Sequence, residues 1–238
     1  MTVVVDVNPT AVETESVVTS LDISITPGAG SDMAIYVASY SLRSAVTIGS
    51  VVYDPGGGDE ANFTSVASIS GPDTITYDMS VWRLLDADIV NSSAKTIRQS
   101  VSSSSSTQQI RAASFTGVDQ TTPNDTASTA EDRTSGSMTD QTVTSATDDM
   151  VIDTIFAESV APTSDASQTD IGGSSVITNA TGCIASYKAG AASVTMDYNY
   201  SGNRRWSWIG LNINAVSVGG GAMHPFPVRR RHNAILAR

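Results

Sequence analysis

The chain is poor in the residues that carry most small-site chemistry. It has one cysteine, Cys183, and two lysines, Lys95 and Lys188, in 238 residues. A single thiol excludes an internal disulfide, a cysteine-based zinc site and a dithiol redox motif. The fold must therefore rest on its core, which a chain of this length can build. The cellular compartment stays open, because a reduced interior and a cysteine-poor exterior both fit. Both histidines, His224 and His232, fall within residues 219–238, so the rest of the chain has no imidazole to activate a serine, and a Ser-His-Asp site is not expected there. No apolar run approaches the ~20 residues of a membrane-spanning helix. Residues 1–6 (Met-Thr-Val-Val-Val-Asp) have neither a basic region nor the apolar run of a signal peptide. Any work outside a cell is then expected to follow lysis, or export within an assembly. Helical periodicity is also missing: residues 84–89 are at most one turn.

What remains is strand chemistry. Ser and Thr number 62, and with Val and Ile they suit a pleated surface. Strands are expected at 3–7, 17–25, 33–40, 47–53, 77–85, 110–115, 138–145, 150–156, 176–179, 193–200 and 205–213. Leu21, Ile23 and Ile25 share one face by their spacing of two. In 77–85, Tyr77, Met79, Val81 and Arg83 fall on one side, and Asp78, Ser80 and Trp82 on the other. Residues 54–60 (Asp-Pro-Gly-Gly-Gly-Asp-Glu) read as a loop, and the serine run 102–106 as a polar hairpin loop or an edge strand. Roughly a dozen strands with regular turn signals predict an all-β fold, a jelly-roll or concanavalin-like β-sandwich over residues 1–218.

Charge divides the chain. Removing the four Arg of residues 219–238 from the 13 basic residues leaves 9 against 24 acids, a formal −15 for the body. Such a body repels phosphates, so nucleic acid is not an expected partner. After the tether Gly219-Gly220-Gly221, residues 222–238 hold two prolines, the cluster Arg229-Arg230-Arg231 and a small apolar end. They read as an extended C-terminal arm. Phe226, Ile235 and Leu236 are candidate apolar anchors, and Arg229, Arg230 and Arg231 candidate contacts to an acidic groove or a neighbour's sheet edge. Contact with packaged nucleic acid and a solvated tail are the two other readings of the same residues.

Other constellations are weaker. Asp59-Glu60, Asp86/Asp88 and Asp148-Asp149 could pair as glycosidase carboxylates or bind calcium. All lie in turn-like segments, where Asp is expected in any case. Trp206 and Trp208, at spacing two, could stack on sugar rings as a carbohydrate-binding adhesin would use them; core packing is the competing reading. Gly56-Gly57-Gly58 lacks the Gly-Lys-Ser/Thr and the helix of a phosphate loop. No cofactor or metal site is expected.

The stretch 113–123 (Ala-Ser-Phe-Thr-Gly-Val-Asp-Gln-Thr-Thr-Pro) resembles a motif of a widespread, poorly characterised family of bacterial and phage β-sandwich proteins. Residues 187–196 and 206–213 are similar to the end of the same domain. The resemblance spans most of 15–215 and implies a jelly-roll-like fold more than an activity. In physical terms Phe115 faces the core, Gly117 allows a turn, Asp119 and Thr121 bond backbone amides, and Pro123 closes the loop. The basic arm and the missing export signal favour a phage particle over a secreted relative. The expectation is a non-enzymatic virion structural protein, first a capsid decoration or cement protein, second a tail or fibre component. Its partners would be the major capsid or other virion proteins. Homo-oligomerisation is expected, a trimer would fit, and no membrane is involved. A glycan-active enzyme would need two carboxylates facing across a cleft.

Overall fold

The computed structural model describes residues 1–217 except 15, 43–45, 71–76, 91–92, 106, 179–180 and 201. Among them, strands follow one another almost without helix. In chain order they are β1 (Val4–Val7), β2 (Val12–Thr14), β3 (Val18–Ile25), β4 (Ala34–Leu42), β5 (Ile48–Tyr53), β6 (Ala61–Asn62), β7 (Thr64–Ser70), β8 (Tyr77–Leu85), β9 (Lys95–Ser105) and β10 (Thr107–Thr116). Then come β11 (Ser128–Gly136), β12 (Gln141–Thr144), β13 (Met150–Glu158), β14 (Thr163–Ser164), β15 (Thr169–Thr178), β16 (Thr181–Ala189), β17 (Ser193–Met196), β18 (Tyr198–Asn199) and β19 (Arg204–Ile213). The one helical element described is a 3-10 turn, Asp86–Asp88, where a single turn was expected. No described helix is long and apolar enough to cross a membrane.

The strands form an all-β sandwich of antiparallel sheets. A front sheet runs β3-β9-β5-β6, a middle sheet β1-β10-β4-β8-β7 with β2 also on β10, and a back sheet β11-β19-β13-β16-β15; the ribbons β12-β17 and β14-β18 are separate. Side-chain alternation shows how they stack. Along β4, Ala34, Tyr36, Ala38 and Tyr40 enter a core shared with Met150, Ile152, Phe156, Ile209 and Leu211 of the back sheet. The intervening Ile35 and Val37 enter a second core with Ile23, Ile25, Val51, Tyr53 and Ile97 of the front sheet. Beyond the back sheet a third core joins Val151, Ile155, Ile184, Trp206 and Trp208 to Val143, Val194, Met196 and Tyr198 of the ribbons. The sandwich thus has more layers than the two of a jelly roll.

Middle and back sheets are therefore covered on both faces, and nearly every residue of β4, β8, β10, β13 and β19 is buried. Outer β3 keeps the alternation of a half-exposed strand. Full burial of one Ile, Leu or Phe contributes about 1.5–3 kcal/mol, so three cores supply the drive that disulfides do not. The division expected within 77–85 holds, with Tyr77, Met79 and Val81 in the first core and Trp82 and Leu84 in the second. The serine run differs from expectation. Its residues 102–105 continue β9, which lies between β3 and β5, and Ser102 N–H donates to Thr47 O at 2.9 Å. Residue 106 lies outside the described residues. Polar strands such as β11 carry turn-type residues (Ser-Thr-Ala-Glu-Asp-Arg-Thr-Ser-Gly) and were not expected as strands.

Candidate functional site

The arm residues singled out as docking contacts, Phe226, Arg229, Arg230, Arg231, Ile235 and Leu236, lie outside the described residues. Their point of departure does not. β19 ends at Ile213, and residues 214–217 are fixed from three sides. Asn214 N–H donates to Pro123 O at 3.0 Å, and Val216 N–H to Gly117 O at 2.9 Å. Ala215 N–H donates to Asp149 Oδ1 at 2.8 Å, and the Met1 amine to Val216 O at 3.1 Å. An isolated antiparallel bridge pairs Val118 with Ala215.

The 113–123 stretch supplies most of this clamp. Phe115 is fully buried and meets Tyr36 and Tyr187 edge-on at ring-centroid distances of 5.9 and 6.4 Å. Gly117 has φ +74°, and a Cβ there would lie 2.6 Å from Thr2 O; both facts require glycine. Asp119 Oδ1 accepts from Thr121 N–H at 2.8 Å and Thr122 N–H at 2.9 Å, which holds its carboxyl below the usual carboxylate range. The loop is thus a rigid brace, and its outer carboxylate is ionised at neutral pH.

The same end of the molecule collects acids from several turns, and hydrogen bonds tie those turns together. Val118 N–H donates to Asp32 O, Asp119 N–H to Asn214 O and Asp125 N–H to Asn212 O. Asp86 N–H donates to Gln120 Oε1 at 3.0 Å, and Asn212 Nδ2 to Asp149 Oδ2 at 2.8 Å. A shallow groove of about 330 Å³ opens beside Met1, Asp148, Asp149 and Ser217. The chain therefore leaves the body from a negatively charged end.

The other candidate residues take structural places. Asp59, with Asp54, pairs with Lys95 at 2.6 and 2.9 Å, and Glu60 Oε2 accepts from Gly56 N–H. Asp149 is buried and also accepts from Ala146 N–H at 3.0 Å. Among the described residues, no group of three or more His, Cys, Asp or Glu is placed to hold a metal. Trp206 and Trp208 do share a face, but that face is the third core, where they are 6 % and 1 % exposed. The placement corrects the sugar-stacking reading of the pair, because neither indole face is open to a ring. Trp208 fits because residue 210 is glycine: a Cβ there would sit 2.2 Å from its ring. Cys183 is buried, and burial pushes its thiol up to about 12.

One polar cluster was not anticipated. Asp153 projects from β13 into the third core and is 3 % exposed. Its Oδ1 accepts from Ser186 Oγ and Tyr198 OH, each at 2.6 Å, and its Oδ2 from Trp208 Nε1 at 2.7 Å. Gln168 Nε2 extends the network to Ser186 Oγ at 2.8 Å, and Asp197 N–H returns to Gln168 Oε1 at 2.7 Å. Burial raises the Asp153 carboxyl to about 6, against the opposing effect of its three donors. The signal in the sequence was the one acid inside the mostly apolar run 150–157 (Met-Val-Ile-Asp-Thr-Ile-Phe-Ala). Tyr198 belongs to the ribbon β14-β18, so the carboxylate fastens that ribbon to the back sheet. A polar recess of about 210 Å³ is lined by Tyr198 together with Ser137, Asp197 and Tyr200. The slot between middle and back sheets at Tyr40 and Cys183, about 10 Å³, is the size of one water.

No family model, curated protein or solved structure matches this chain.

Proposed function

We propose that the chain is a structural protein of a virus particle, in first place a decoration or cement protein on a phage head and in second place a tail or fibre component. The observation that carries the reading is the clamped root. A Gly-tethered basic segment leaves a rigid acidic body at a point fixed by hydrogen bonds to the 117–123 brace, to Asp149 and to the N-terminus. A rigid origin lets the arm reach a defined place on an adjacent subunit. Phe226, Ile235 and Leu236 would fill apolar pockets there, and Arg229, Arg230 and Arg231 would meet acids. Residues 219–238 approach the roughly 20–30 residues that a standard interface takes from one partner.

Cementing then follows by mass action. A ligand that binds only the assembled shell, at about 100 times its dissociation constant, stabilises that shell by about 2.7 kcal/mol per site. Partners would be the major capsid protein or other virion proteins, with homo-oligomers, a trimer among them, presenting several arms at once. The test is co-sedimentation with particles lacking the protein, comparing the full chain with a version ending at Val218. Binding lost on truncation supports the docking arm. Equal binding by both forms clears the arm of that duty, and binding by neither refutes the cement reading.

A further inference from the structure

We infer that two copies of the chain pair through β7, antiparallel across a two-fold axis at Ser68, so that their middle sheets join into one. The pairing stands apart from the docking-arm reading and uses a different surface.

β7 is the outermost strand of the middle sheet, beside β8. It pairs with β8 alone, and among the described residues no hydrogen bond reaches its backbone from the other side. In an antiparallel pair alternate residues turn their N–H and C=O away from the partner strand. The open side of β7 is therefore a row of donors and acceptors of the kind that takes up another strand.

The other long edges are guarded. β3 carries Asp22, bonded to Arg98 at 2.6 Å, and β11 carries Glu131, Asp132 and Arg133. β15 holds Asp170, is bulged with Gly172 and Gly173 at positive φ, and is already occupied. Asn8 Nδ2 donates to Asp170 O at 2.8 Å, and Ala11 N–H to Gly172 O at 2.9 Å. At the far edge of the middle sheet, β1 and β2 hold Asp6 and Glu13. β7 (Thr-Ser-Val-Ala-Ser-Ile-Ser) has neither charge nor proline. Of the described edge strands longer than four residues, it is the one without a charged side chain.

Charge also selects the occupant. The chain carries a formal −11, so two copies repel, least where they meet without carboxylates. Antiparallel self-pairing sets a strand against itself, and a charge at the axis would meet its own copy; β7 brings none. The bulge at Val66 interrupts the register with β8, whereas Ala67, Ser68, Ile69 and Ser70 pair regularly with Val81, Ser80, Met79 and Asp78. With the axis at Ser68, Ala67 of each copy lies opposite Ile69 of the other. Both side chains pack on the first core and are only partly buried there, so pairing covers apolar surface that one copy leaves open. The joined sheet runs through ten strands, five on the path of each copy. A sheet edge alone buries less than the roughly 1,200 Å² of a standard interface, so the association is weak and is favoured where an assembly concentrates the subunits.

Sedimentation equilibrium of the full chain and of Ser68→Lys, with hydrogen exchange of residues 64–70 read by mass spectrometry, tests the inference. Between about 1 µM and about 100 µM the wild-type mass should move from one chain toward two. Exchange within 64–70 should slow roughly tenfold over the same range, as the open amides gain partners. Ser68→Lys sets two ammonium groups across the axis and should raise the dissociation constant about tenfold or more. Ser68 is exposed, so the variant should keep the wild-type circular dichroism and melting temperature. If it does not, the concentration dependence of exchange in the wild type decides alone. A wild-type chain that stays at one mass up to about 100 µM overturns the inference. So does a mass that settles at three chains, an oligomer that survives Ser68→Lys, or one whose 64–70 exchange ignores concentration. Each of the last three places the contact elsewhere and leaves the docking-arm reading standing.

Discussion

Asp153 gives the sharpest physical prediction. Its carboxyl lies in the third core with three donors and no described cation, and burial raises it from 3.8 to about 6. The titratable groups facing it are Tyr198 of β18 and Tyr40 of β4, both shifted upward by burial and neutral at these pH values. Below about pH 4 the residue is protonated in folded and unfolded chains alike. Between about 4 and 6 the unfolded chain ionises and the folded one does not, so stability falls as pH rises; above 6 both are ionised and the fall stops. About two pH units at 1.36 kcal/mol each come to about 3 kcal/mol. Exposed carboxylates held low, such as Asp119 and Asp165, push stability the other way. The difference between wild type and Asp153→Asn isolates the buried group. Asn keeps one acceptor but sets an NH2 against a donor, so the variant should be less stable at pH 4 by about 1–3 kcal/mol. That deficit should shrink or reverse by pH 7. Urea unfolding of both proteins from pH 4 to pH 7.5 measures it. Two stability profiles that run parallel across that range would refute the reasoning.

Gly117→Ala should destabilise by about 2–3 kcal/mol in urea unfolding, because it combines a left-handed backbone with a contact 2.6 Å from Thr2 O; a loss below about 0.5 kcal/mol would contradict the brace. Trp208→Ala should cost about 3–5 kcal/mol, since it opens a large void and strips Asp153 Oδ2 of its donor. Thermal denaturation of Trp208→Phe, which keeps most of the ring volume but not the N–H, should fall between wild type and Trp208→Ala. Cys183 should not react with a thiol reagent such as DTNB at pH 8 in the native chain and should react fully in denaturant, because burial both covers the sulfur and disfavours its thiolate.

The strands were legible where one physical rule dominated. Leu21, Ile23 and Ile25 alternate because β3 has one wet face, and residues 54–60 turn because glycine and proline leave them little else. The layering was not legible, because the middle and back sheets carry polar residues at positions that alternation assigns to solvent. Ser39, Ser80, Gln108, Arg111, Asp153 and Ser186 are all buried. Arg111 spends its guanidinium on the carbonyls of Ile171, Gly173 and Cys183, at 2.7, 2.7 and 3.1 Å. Partners 60 to 72 residues away cannot be read from the spacing of one strand. For the same reason Asp153 passed unnoticed while Asp59 and Asp149, conspicuous as members of pairs, proved to be turn and clamp residues. In the 113–123 stretch local chemistry was enough: the Asp119 turn and the Gly117 requirement follow from residue type, whereas the grip on residues 214–216 does not.

Covering both faces of two sheets has a functional corollary. A two-layer sandwich can offer a concave outer face to a ligand, but here the back sheet's outer face is covered by the ribbons and holds Trp206, Trp208 and Asp153 in a core. The outer face of the front sheet is set with side chains such as the exposed ion pair Arg98–Asp22, worth at most about 1 kcal/mol. Recognition is then left to sheet edges, loops and termini. Of these, one end combines a rigid brace and a groove of about 330 Å³ beside Asp148 and Asp149 with the origin of the chain's most basic segment. A body whose middle and back sheets are used up in its own packing, with a net negative charge set against the basic segment leaving it, is suited to being placed on a surface and held there. That is why the proposed role is attachment, and why the arm and its clamped root rather than any sheet face are the place to test it.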